Sequence, residues 1–129
     1  MPMTVTYIKN SGVLIKGEGV VTGSEIKEAN DKIYDSRENI MKIKYQLCDF
    51  LEVSEFLVTH EDIVFHSEQD YKAANINPHM IIAIVASSDL IFGLSRMWEA
   101  YSYRSPFQSM VFRSIEDAEK WIDEMIRKP

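Results

Sequence analysis

The chain has 129 residues, 46% of them hydrophobic and 26% charged, a composition that supports a folded globule of one domain and excludes a disordered chain. Its net charge of −6 removes the electrostatic attraction that dominates nucleic-acid and anionic-membrane binding, so neither partner is expected. A single cysteine, Cys48, rules out an internal disulfide, the opening residues lack the basic-then-apolar pattern of a secretory signal, and a cytoplasmic location is expected. No apolar run approaches the roughly 20 residues of a membrane span.

In chain order, Thr4 to Lys9 and Val13 to Lys16 flank Asn10-Ser11-Gly12, which predicts a β-hairpin whose glycine supplies a positive φ. Thr22, with Glu25 three positions on, is a capping box that opens a helix with Ile26, Ala29 and Ile33 as its apolar stripe. From Met41 to Phe50 the pattern switches to period two, Met41, Ile43, Tyr45 and Leu47 alternating with Lys42, Lys44 and Gln46, which predicts a strand ending at Asp49. Cys48 lies in that strand and is expected to pack as a small hydrophobe. Thr59 and Asp62 cap a further helix with Ile63, Ser67, Tyr71 and Ala74 facing inward, and Asn75 to Pro78 stops it.

The next segment, Met80 to Ala86, is apolar at every position. A strand covered on one face would alternate, so this one is expected in the interior of a mainly parallel sheet with helices on both sides. Ser87-Ser88-Asp89 then caps a helix with the stripe Leu90, Leu94, Met97 and Tyr101, and Ser105-Pro106 breaks it. Phe107 to Arg113 is the last strand, and Ser114 with Asp117 caps a final helix whose stripe is Ala118, Trp121, Ile122 and Met125. The expected fold is α/β, a single mixed, mainly parallel sheet of about five strands with helices packed on it, in one domain spanning 1–129.

Catalytic chemistry is hard to place on this chain. His60 and His66 are six apart, whereas two imidazoles that grip one metal from one helix face need a spacing of about four. Both are expected as solvated surface residues, and His79 as a loop residue. The sequence has no nucleophile elbow, P-loop or dinucleotide fingerprint, and its acidic pairs sit where helix first turns and exposed faces favour carboxylates. No catalytic residue, metal or cofactor is expected. Two places invite a ligand or partner. Ser87, Ser88 and Asp89 lie at the carboxyl end of the apolar strand, where open α/β sheets gather ligands, although a plain N-cap is the favoured account of them. Phe92, Met97, Trp98 and Tyr101, with Tyr103 and Phe107, exceed what one helix stripe can bury. The surplus fits a second packing layer, a homodimer contact or the lining of an apolar pocket.

The stretch IAIVASSDLIFGLSRMWEAYS, followed by VFRSIEDAEKWI, resembles the bacterial SpoIIAA-like proteins of the STAS superfamily, whose fold is similar to the lipid-exchanging CRAL-TRIO domains. The matches are the apolar strand, the small polar turn at Ser87–Asp89, Phe92-Gly93 and Arg96-Met97 in the helix, the Val111-Phe112 strand, and Ala118 and Trp121. The resemblance implies a non-enzymatic regulatory module that binds a partner protein, with a carrier or sensor of an apolar small molecule such as a lipid as the alternative. It also implies phosphorylation of a hydroxyl that opens the helix after the third main strand. Relatives carry an Asp-Ser-Ser-Gly type motif there; this chain reads Phe-Leu-Val-Thr-His, with Thr59 as the nearest hydroxyl and an N-cap role as the competing explanation.

Overall fold

The apolar run in the middle of the chain forms an inner strand, and the rest of the architecture covers it. The computed structural model describes residues 3–127, and Met1, Pro2, Lys128 and Pro129 lie outside the described residues. The elements are β1 (Met3–Ile8), β2 (Gly12–Thr22), α1 (Gly23–Ile33), α2 (Arg37–Lys42), β3 (Tyr45–Leu57), α3 (His60–Ile76), β4 (Ile81–Val85), α4 (Asp89–Tyr101), β5 (Gln108–Phe112) and α5 (Ile115–Arg127). The five strands form one sheet in the order β1-β2-β3-β4-β5, antiparallel at the β1–β2 hairpin and parallel elsewhere.

No residue of β4 is more than 6% exposed, because its two faces are buried against different layers. Ile82 and Ile84 point into a core shared with α1, α2, α3 and α4, while Ile81, Ala83 and Val85 point into a second core covered by α5. That is the two-sided burial expected of an unbroken apolar run. The caps also stand where the sequence places them. Glu25 N–H donates to Thr22 Oγ1 (3.3 Å) while Thr22 N–H donates to Glu25 Oε1 (2.8 Å), and Thr59 and Asp62 repeat the exchange at 3.1 and 2.9 Å.

The segment before β3 differs from expectation. Residues 37–42 are a short helix, not the start of a strand, and Met41 is 55% exposed. Ser36 Oγ accepts from Asn39 N–H at 3.1 Å, and Glu38 pairs with Lys42 one turn away, so cap and charge spacing outweigh the two-residue alternation that runs into β3. The strand also continues past Asp49. After the Asp49–Val85 pair it bonds β2 alone as far as Leu57, forming a two-stranded parallel arm past the end of β4. Leu51 to Leu57 show no alternation of burial, which is why the sequence pattern stops short of them.

Helix α4 is rotated relative to its expected stripe. Its buried residues are Ile91, Ser95 and Trp98, while Leu90 is 63% and Tyr101 40% exposed. The helix turns by about one residue, roughly 100°, because the small Ser95 allows close approach and the Trp98 indole finds a buried acceptor.

Gly12 and Gly23 are required by contact. The hairpin places its positive φ values at Asn10 and Ser11, and Gly12 instead faces the Tyr45 ring, where a Cβ would come within 2.1 Å of Cζ. At Gly23 a Cβ would come within 2.1 Å of Asp62 Oδ2, the carboxylate that caps α3. Gly23→Ala is therefore expected to cost about 1–3 kcal/mol in urea unfolding. Gly93→Ala, in the middle of α4 with nothing within 4 Å, is expected to stabilise by about 0.5–1 kcal/mol. Equal effects at the two positions would contradict this packing of α1 on the α3 cap.

Candidate functional site

The helical side of the sheet encloses an uncommon number of polar groups. Asp70, on the inward face of α3, is 5% exposed. Its Oδ1 accepts from Tyr34 Oη–H at 2.6 Å and its Oδ2 from Trp98 Nε1–H at 2.9 Å. Gln46, on β3 and 1% exposed, donates through Nε2 to the Tyr34 hydroxyl oxygen at 2.6 Å. No lysine or arginine among the described residues forms an ion pair with Asp70. Burial without a counter-charge pushes its carboxyl up to about 6, against the opposing pull of the two donated hydrogen bonds. The Tyr34 hydroxyl is raised well above its ordinary value, first by burial and then by Asp70.

His66 belongs to the same interior. It was expected at the surface; it is 5% exposed, because α3 turns it onto α1, where Nε2 lies 2.9 Å from the Gly23 carbonyl oxygen. Burial lowers its pKa, and the carbonyl can only accept, so the neutral ring carries its proton on Nε2 and leaves Nδ1 as an acceptor. Cys48 lies nearby on β3, its thiol pKa raised by burial, which makes it a poor nucleophile. Gln46, Cys48, His66 and Asp70 line one cavity of about 60 Å³, with Phe50, Phe56, Ile82 and Leu94 among its apolar walls. A dry cavity of about 150 Å³ admits benzene, so this one holds a few heavy atoms and not an acyl chain.

The residues singled out from the sequence lie elsewhere, with one exception. Ser88 Oγ accepts from Ile91 N–H at 3.1 Å as the N-cap of α4. Arg113 Nη1 donates to the Ser87 carbonyl at 2.7 Å and to Asp89 Oδ1 at 3.0 Å, and its guanidinium lies 3.9 Å from the centre of the Phe92 ring. These residues at the carboxyl end of β4 are thus engaged with one another. Met97 and Tyr101 are exposed, and Tyr101 Oη meets His60 Nε2. Thr59 Oγ1 accepts from Asp62 N–H, and a phosphate there would share the start of α3 with Glu61 and Asp62, like charges that repel it. Only Trp98 reaches the polar cluster.

Tyr34, Gln46, His66 and Asp70 were not anticipated, although a signal existed. Asp70 sits three residues after Ser67 and four before Ala74, on the inward stripe of α3, and a carboxylate at such a position demands a buried partner. Tyr71, expected on that stripe, is half-buried beneath the Arg104 guanidinium. Among the described residues no three His, Cys, Asp or Glu side chains converge on a metal position, and no helix is long and apolar enough to cross a membrane.

Compared with solved structures, the chain is similar to the anti-sigma factor antagonist SpoIIAA in its unphosphorylated form, with a TM-score of 0.59 and 13% identity over 98% of this chain and 99% of that one. It carries the SpoIIAA-like STAS fold. A second match is the phosphorylated form of the Bacillus cell fate determinant SpoIIAA, with a TM-score of 0.58 and 10% identity over 93% and 98% of the two chains. No protein-family profile and no curated protein matches the chain. At this identity the likeness is one of fold, and it extends over nearly the whole of each chain.

Proposed function

We propose that this chain is a non-enzymatic regulatory module that acts by binding a partner protein. The observation that carries the proposal is the exposed apolar strip of α4, where Leu90, Met97 and Tyr101 are 63%, 37% and 40% exposed on a helix whose inward face is already filled by Ile91, Ser95 and Trp98. Tyr103, 92% exposed just after the helix, extends the strip. Exposed aromatic and Met side chains in one line are favoured contacts at protein interfaces. The SpoIIAA-like fold adds support, since the structure matched over nearly its whole length is described as an anti-sigma factor antagonist.

The test is affinity capture with the full chain against the double variant Met97→Lys, Tyr101→Lys. Urea unfolding is expected to change by about 0.5 kcal/mol or less for Met97→Lys and by about 1 kcal/mol for Tyr101→Lys, which gives up its contact with His60. The parent is expected to retain a protein, a second copy of this chain included, that the double variant loses. A parent that is strictly monomeric in light scattering and captures no more protein than the double variant does overturns the proposal.

A further inference from the structure

We propose that the cavity between β3, α3 and α4 binds a small primary ammonium compound, with the ammonium group held by Asp70 and a short apolar tail against Phe50, Phe56 and Leu94. Three observations converge on this chemistry. The first is hydrogen-bond capacity. An ionised carboxylate offers about four lone-pair positions, and the Asp70 carboxylate uses two, for Tyr34 and Trp98. His66 Nδ1 is an acceptor with no partner among the described residues, and so is Gln46 Oε1, whose amide nitrogen makes both of that side chain's hydrogen bonds. The open positions on Asp70, His66 Nδ1 and Gln46 Oε1 are all acceptors, and Ser95 and Cys48, also in the lining, can accept as well as donate, which suits an ammonium group with three N–H donors and no acceptor.

The second observation is charge. Asp70 is 5% exposed with neutral donors alone around it, and a buried carboxylate of this kind is compensated most directly by a cation. The third is size. At the roughly 25 Å³ per heavy atom implied by benzene in about 150 Å³, a cavity of about 60 Å³ takes about two or three heavy atoms, which matches the ammonium group and the first carbons of a short amine.

The experiment uses the full chain at pH 7.5 with n-butylammonium chloride, n-butanol and tetramethylammonium chloride at matched ionic strength, read by thermal melting and by isothermal titration calorimetry. Butylammonium is expected to raise the melting temperature and to give a saturable binding heat. Butanol lacks the charge and tetramethylammonium the N–H donors, and neither is expected to act. Asp70→Asn, folded by circular dichroism, is expected to lose the response. Leu94→Trp, which fills the cavity from its apolar wall, is expected to lose it too and keeps the test decisive should Asp70→Asn fail to fold. A capped Ala-Lys-Ala peptide separates a free amine from a lysine side chain delivered by a polypeptide, and tighter binding of the peptide than of butylammonium overturns the free-amine assignment. No response to any compound, an equal response to butanol, or a response retained in Asp70→Asn overturns the site and leaves water as the occupant.

Discussion

Relative to an Asp70→Asn variant, the protein is expected to lose about 3 kcal/mol of stability between about pH 4 and pH 7. Asp70 ionises near 3.9 in an unfolded chain and at about 6 in the folded one. Below about pH 4 both states hold the proton and the group contributes nothing to the pH dependence. Between about 4 and 6 the unfolded chain releases its proton first, so the unfolded state binds fewer protons and the unfolding free energy falls as pH rises. Above about 6 both states are ionised and the penalty is complete, roughly 1.36 kcal/mol for each tenfold difference in proton affinity. His66 acts in the opposite sense. Its lowered value means that the stability of the neutral buried ring is present above about 6.5 and is lost as pH falls through the folded pKa. The comparison with Asp70→Asn removes that contribution, because both proteins retain His66. Urea unfolding across the pH range measures the difference, and parallel curves for the two proteins would show that Asp70 is solvated.

Ile82→Ala is expected to destabilise the protein by about 2–5 kcal/mol. Ile82 is 1% exposed on an inner strand and packs into the core shared by four helices, so its removal leaves a hole that neither the sheet nor the helices can close. A domain of this kind has a total stability of about 5–15 kcal/mol, so the loss is a large fraction of the whole. Leu90→Ala, of similar chemistry but 63% exposed, is expected to change stability by less than about 0.5 kcal/mol. The contrast tests the rotation of α4. A cost at Leu90 comparable with that at Ile82 would return α4 to the Leu90, Leu94, Met97, Tyr101 face and remove the strip on which partner binding is proposed.

Local order was legible before any coordinates. Thr22 and Glu25, Thr59 and Asp62, and Ser88 are caps recognisable from residue type and spacing, because a helix start needs an acceptor for its free N–H groups within a few residues of chain. The unbroken apolar run of β4 likewise announces two-sided burial, since a polar residue on either face would be stranded from water.

What escaped depended on neighbours distant in sequence. The face of α4 that turns inward was decided by Asp70, 28 residues away from Trp98, and two candidate stripes one residue apart cannot be separated by periodicity when both are apolar. The arm of β3 past Asp49 is held by its pairing with β2, and its half-buried residues, Val53 and Phe56, are three apart, which imposes no two-residue alternation. His66 and Asp70 look solvent-bound in a sequence because ionisable groups usually are, and only the convergence of α1, β3, α3 and α4 supplies the partners that make their burial tolerable. Caps, breakers and the inner strand were thus determined by the chain itself, through interactions that span a few residues. The polar cavity and the exposed strip of α4 were decided by the tertiary structure, because each is defined by which surfaces meet after the sheet has formed.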